Sequence, residues 1–181
     1  MTVTFDAEGR IAGLFFALAD RSHTISVRQS FLNTMLAFVL FCLISGAVYI
    51  MNDLHDAEAD RVHPGKKNRP IASGQFPVTL AVVEYFVLLL TALKLSTLLG
   101  PVFAINLAAY FLLQSLYTYA LKNRVLVDVF TVAIGFVMRV LAGTLAAGVW
   151  TSPWLLLCTF MAALFLILCK RREEKVSLGD E

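Results

Sequence analysis

Five long apolar runs set the limits on what this chain can fold into. A helix needs roughly 20 apolar residues to cross a hydrocarbon core of about 30 Å, and the runs at 31–51, 77–99, 101–121, 125–150 and 153–169 are all of that order. Such a pattern predicts an all-α, polytopic transmembrane helix bundle. Composition agrees: 59% of residues are hydrophobic and 15% charged, where a soluble domain has roughly 45–50% and 25%. Mean hydropathy is +0.76. The chain therefore reads as an integral membrane protein in contact with membrane lipids. Its formal net charge of +2 gives no global basic field, which argues against a nucleic-acid partner. Gly100 and Pro101 mark a tight turn between the second and third runs. The apolar stretch 11–19 is too short to span, and Asp6, Glu8 and Asp20 around it argue against a signal peptide. It reads as the end of a helix or an interfacial segment. Cys42, Cys158 and Cys169 lie in apolar runs without metal-ligand spacing and read as small hydrophobes.

The basic residues choose an orientation. Arg61, Lys66, Lys67 and Arg69 follow the first run, Lys122 and Arg124 the third, and Lys170, Arg171, Arg172 and Lys175 the fifth. With five spans all ten fall on one side, whereas the hairpins 96–102 and 151–153 carry none. The positive-inside rule makes that side cytoplasmic; only Arg21 and Arg28, before the first run, dissent. The expected location is the plasma (inner) membrane, with the working face toward the cytoplasm.

Charge is also concentrated along the chain. Asp53, Asp56, Glu58, Asp60, Arg61, Lys66, Lys67 and Arg69 fall within 17 consecutive residues, directly after the first run. On a helix Asp56 and Asp60 lie about 300° and 340° around from Asp53, so the three carboxylates form one stripe. Like charges so placed repel unless a cation sits among them. Carboxylates are hard oxygen ligands of the kind that hold Mg2+ together with substrate phosphates, and the basic segment behind them would neutralise phosphate oxygens. The stripe thus suggests a metal-diphosphate platform; a solvated helix end with a topogenic basic loop is the plainer alternative. His55 and His63 lack a second histidine at i+4, which argues against zinc, and no P-loop or Ser-His-Asp pattern is present.

The segment NDLHDAEADRVHPGKKNRPIASG, residues 52–74, resembles the first aspartate-rich motif, N-D-x-x-D-x-x-x-D, of the UbiA superfamily of intramembrane prenyltransferases. Its continuation H-P-x-K-x-x-R-P-I-A-S-G looks most like the branch of decaprenyl-phosphate phosphoribosyltransferases. The likeness runs on through YTYALKNRVLVDVFTVAIGFVMRVLAG, residues 117–143, to KRREE at 170–174. Tyr117 and Lys122 are five apart, as in the phosphoribosyl branch, rather than four as in the aromatic prenyltransferases. The resemblance implies a Mg2+-dependent transferase moving 5-phosphoribose from phosphoribosyl pyrophosphate to a polyprenyl (decaprenyl) phosphate for cell-wall arabinan precursors. It implies metal ligation by Asp53, Asp56 and Asp60, catalytic roles for Asp53, Asp56, Lys66, Arg69 and Asp128, and substrate contacts from Asn52, Lys67, Tyr117, Lys122, Arg139 and Lys170. A prenyl diphosphate donor with an aromatic acceptor is the rival chemistry. The family pattern also implies further helices and a completed second polar motif beyond KRREEKVSLGDE, so residues 1–181 read as one incomplete UbiA-like domain, and an inactive fragment is a third reading. The pattern leaves homo-oligomerisation open.

Four charged residues lie inside apolar runs: Glu84, Lys94, Asp128 and Arg139. An ionisable group at membrane depth suggests function, with snorkelling or packing as the plain alternative. Asp128 and Arg139 are about 20° apart around a helix but roughly 16 Å apart along it, so each needs its own polar partner in the bundle. By resemblance both line the central cavity. Lys94 is expected to snorkel at the far interface. Tyr110, Tyr117 and Tyr119 fit packing better than ligand contact by spacing alone.

Overall fold

A computed structural model describes residues 26–121 and 125–179, so the 11–19 stretch, Lys122 and Arg124 lie outside the described residues. Helix α1, Val27–Val62, starts at Ser26, whose side chain accepts a hydrogen bond from the Gln29 amide at 3.2 Å, satisfying one of the first-turn N–H groups. It stops at His63, whose backbone is extended (φ −84, ψ 124) because Pro64 follows and excludes the helical region for the residue before it. At 36 residues it is about 54 Å long, well beyond a hydrocarbon core of about 30 Å. Its last turns project past the apolar layer, and these carry the acidic stripe.

Four shorter helices follow. They are α2 (Val78–Ser96, extended by a 3-10 turn Thr97–Leu99), α3 (Pro101–Leu116, continued by a π turn Tyr117–Leu121), α4 (Val125–Ala147) and α5 (Pro153–Gly179). Pro101 and Pro153 open α3 and α5 at a position whose N–H would lack a helical partner anyway. All five runs seen in the sequence are helical. The fourth ends earlier than its apolar run implies, at Ala147. Gly148 takes φ 68, and the Gly148 and Val149 amides turn back to Leu145 O and Thr144 O, leaving Val149 and Trp150 exposed outside the helix. Apolarity persists through that turn, so hydropathy alone could not place the helix end. Lys94 sits exposed in the last turn of α2, and Glu84, in the middle of that helix, is also exposed.

Helix α1 is the hub, packing on α2, α3 and α4, while α5 packs on α4. The buried core joins Ala37, Leu40, Ile44 and Ala47 of α1 to Leu89 and Ala92 of α2, Phe103, Leu107 and Tyr110 of α3, and Ala142 and Ala146 of α4. Alanines let backbones approach in lipid, where dispersion contacts rather than hydrophobic transfer hold helices together. The Phe41 ring fills the space beside them, edge-on to Phe103 and Tyr110 at 6.3 and 5.2 Å. Outward faces are just as apolar: Phe38, Phe86, Leu90, Ile105 and Leu112 are all exposed, a surface that only hydrocarbon solvates well. The protein is an integral membrane protein.

Gly135 of α4 lies close against two side chains of α3. A Cβ there would lie 3.1 Å from Gln114 Nε2 and 3.7 Å from Tyr110 Cε2. Gly135→Leu is expected to push the two helices apart and cost about 1–3 kcal/mol, the range for overpacking. A lowered thermal midpoint in detergent checks it, and an unchanged midpoint would contradict the close packing.

Candidate active site

The loop between α1 and α2 is built to fold back over the acidic stripe. His63 O accepts from the Lys66 and Lys67 amides, each at 3.1 Å, Lys66 O from the Arg69 amide at 3.0 Å, and Arg69 O from the Ser73 amide at 2.8 Å. Ile71 and Ala72 are buried, and Arg61 Nε donates to Ala72 O at 3.2 Å, which pins the loop to the end of α1. Arg69 is thereby held over the stripe. Its Nη1 donates to Asp53 Oδ1 at 2.9 Å and to Asp60 Oδ2 at 2.8 Å. Two carboxylates two helical turns apart thus converge on one guanidinium nitrogen. Asp60 is 4% exposed, so its charge depends on that contact, whereas Arg69 and Asp53 are about one-third open to solvent. Asp56 lies between them along the same helix face and is half-buried, while Lys66 and Lys67 are exposed beside them.

Directly deeper along α1 is a polar chamber. Ser45, Tyr49 and Asn52 of α1, Tyr110, Gln114, Tyr117 and Thr118 of α3 and its π turn, and Arg139 of α4 line a cavity of about 120 Å3. Arg139 Nη2 donates to the Tyr110 hydroxyl in a short hydrogen bond, and its guanidinium lies 5.2 Å from the centre of the Tyr110 ring and 5.4 Å from that of Phe136. A hydrogen bond and two ring faces hold this cation, which remains partly open at the rim of the cavity. Another cavity, of about 340 Å3, lies on the other side of α1, between Leu54, His55, Val82, Phe86 and Tyr119. There the His55 and Tyr119 rings pack edge-on at 4.9 Å, which is packing rather than a polar site.

Asp128, in the first turn of α4, does not join the stripe. It is 4% exposed and forms an ion pair with Arg171 of α5. Asp128 and Arg139 therefore each have a separate polar partner, as their spacing along α4 requires. Lys170, next to Arg171, is exposed.

The sequence matches the UbiA prenyltransferase family over residues 11–175. The chain belongs to that family. A decaprenyl-phosphate phosphoribosyltransferase of Mycolicibacterium smegmatis is 36% identical over 163 residues, 90% of this chain and 48% of that protein. A Mycobacterium tuberculosis protein of the same name is 38% identical over 139 residues, 77% of this chain and 46% of that protein. A digeranylgeranylglyceryl phosphate synthase of Sulfurisphaera tokodaii is 35% identical over 114 residues, 62% of this chain and 40% of that protein. The chain spans about half the length of these curated relatives.

Two features bear on this UbiA chain's chemistry. The first is the fit of a divalent ion. Among the described residues no group of three His, Cys, Asp or Glu side chains is gathered closely enough to hold a metal ion by itself. The chemistry of the donors is compatible with a divalent ion only if a substrate completes the shell: carboxylate oxygens of Asp53 and Asp60 converge on one guanidinium nitrogen, with Asp56 on the same face, and a hard cation such as Mg2+ takes one or two carboxylates together with substrate phosphates. The second is the π turn at Tyr117–Leu121. Such a turn adds a residue to a helical turn, and it sits where Tyr117 and Lys122 are five apart rather than four. Sequence reasoning missed Tyr110 as a polar partner, as well as Tyr49, Gln114 and Arg171. The signal was present for two of them: Tyr110, Gln114 and Tyr117 stand at i, i+4 and i+7, a polar stripe along an otherwise apolar helix.

Proposed function

We propose that this protein takes part in a Mg2+-dependent transfer of 5-phosphoribose from phosphoribosyl pyrophosphate to a polyprenyl phosphate, on the cytoplasmic face of the plasma membrane. One observation carries the reading: Asp53 and Asp60 are gathered by Arg69 directly above a polar chamber that holds Arg139. A diphosphate needs that combination of hard anionic ligands for a metal and fixed cations for its own oxygens. The names of the relatives from Mycolicibacterium smegmatis and Mycobacterium tuberculosis supply the phosphoribosyl group and the decaprenyl phosphate.

In this mechanism Asp53, Asp56 and Asp60 would hold Mg2+, which would supply charge neutralisation at the diphosphate oxygens. Lys66, Lys67 and Arg69 bind the same oxygens from the loop side, in place before the charge develops. Asn52 and Tyr117, at the upper chamber wall, orient the sugar, and Arg139 attracts an anionic group into the chamber. A lipid phosphate oxygen attacks the anomeric carbon, the bond from that carbon to the pyrophosphate oxygen breaks, and pyrophosphate leaves. Asp128 acts through Arg171, holding the basic end of α5, with Lys170, beside the chamber. Lys122, by the resemblance, completes the donor contacts.

The relative named digeranylgeranylglyceryl phosphate synthase favours a second reading, in which the diphosphate belongs to a prenyl donor. A donor competition assay in membranes separates them. Consumption of labelled phosphoribosyl pyrophosphate with label appearing in lipid is expected; consumption of prenyl diphosphate instead would reverse the assignment.

A further inference from the structure

The contact between Arg69 and the stripe has a meaning beyond catalysis. Asp60 is almost wholly buried, and a buried carboxylate is strongly unfavourable without a counter-charge. Arg69 Nη1 supplies that charge and reaches Asp53 at the same time. Guanidinium keeps its charge in proteins, so a divalent ion taken up by the same two carboxylates would lie against a fixed positive charge at Arg69 Nη1 unless that side chain moves away. Its backbone is fixed by the Lys66 and Ser73 hydrogen bonds, so the side chain alone has to swing. A diphosphate offers the displaced guanidinium two oxygens in bidentate geometry.

We infer that Arg69 competes with the divalent ion for Asp53 and Asp60, and that a diphosphate relieves the competition by drawing Arg69 onto itself, so that ion and donor load together. This rests on the metal-diphosphate reading of the stripe. Coupling of this kind is reciprocal: whatever factor the diphosphate adds to ion affinity, the ion adds to diphosphate affinity. The consequence is an ordered site, in which a free divalent ion holds weakly and the Arg69 side chain turns onto the donor as the ion seats.

The test is Mn2+ binding by the whole chain in nanodiscs, read by electron paramagnetic resonance of protein-bound Mn2+, with and without inorganic pyrophosphate. Without pyrophosphate, Arg69→Gln is expected to bind Mn2+ about tenfold more tightly than wild type, because the competitor is gone and a neutral amide still donates to the carboxylates. Pyrophosphate is expected to tighten Mn2+ binding in wild type and to do so about tenfold less in Arg69→Gln. Equal or weaker binding by Arg69→Gln without pyrophosphate overturns the competition. So does a wild-type affinity that pyrophosphate leaves unchanged, a readout needing no variant. Arg69→Lys, which keeps the charge but not the fork, is expected to retain weak ion binding yet lose most of the pyrophosphate effect; Arg69→Lys with the full wild-type effect would overturn the role of the guanidinium. If wild type and Asp53→Asn bind Mn2+ equally under every condition, the metal reading itself fails, which is a different result from failure of the competition.

Discussion

Asp53→Asn is expected to lower Mg2+-dependent transfer of labelled ribose phosphate into lipid by at least about a hundredfold, and toward a thousandfold, while leaving the fold intact. The reason lies in what the amide keeps and what it loses. Asparagine has the same shape, and its carbonyl oxygen still accepts from Arg69 Nη1, as Asp53 Oδ1 does at 2.9 Å, so the loop stays docked on α1. It loses the negative charge that binds a hard cation. Removing one preorganised electrostatic partner of a transition state costs about 2.7–4 kcal/mol, which corresponds to a factor of about a hundred to a thousand in rate. Circular dichroism and the thermal midpoint should match wild type, which separates loss of chemistry from loss of fold. Full transfer activity in Asp53→Asn would remove the stripe from the mechanism.

Arg171→Ala is expected to destabilise the protein by about 1–3 kcal/mol, less than the roughly 3–5 kcal/mol for a fully buried ion pair because the Arg171 side chain is 31% exposed. Asp128 is only 4% exposed, and its partner comes from a helix that packs mainly on α4. Just 6% of the apolar window of α5 is buried, against 33% for α4, so this pair adds to a one-sided packing that includes Phe130 against Phe160, with ring centres 6.0 Å apart. The removed charge is the matter, rather than the removed bulk. Asp128→Asn combined with Arg171→Ala should therefore recover much of the loss, because no unpaired carboxylate remains. A double-mutant cycle on unfolding in bicelles measures this. Strictly additive costs would show that Asp128 and Arg171 do not rely on each other.

The acid-rich end of α1 shows how far local pattern reaches. Its helical continuation beyond the apolar run, the common face of Asp53, Asp56 and Asp60, and the stop before Pro64 all follow from residue spacing, because a helix has one period and proline one constraint. The same holds for the five spans, for the turn at Gly100 and Pro101, and for the need of Asp128 and Arg139 to find separate partners.

The identity of the partners is another matter. Arg69 meets Asp53 and Asp60 across 16 and 9 residues, and Tyr110 meets Arg139 across 29; Arg171 reaches Asp128 from the next helix. Each pairing depends on which helix faces are turned together, and that follows from small residues such as Gly135, Ala142 and Ala146 permitting close approach rather than from any spacing between the charges. A charge in an apolar run states that a partner is required. Sequence by itself therefore determined the spans and the acidic stripe, whereas only the packed bundle decided that the stripe is closed by Arg69, that Arg139 leans on Tyr110, and that Asp128 is spent on holding α5. The physical reason is one of range: backbone periodicity acts within a few residues, while the desolvation of a charge is settled by whatever the tertiary fold brings beside it.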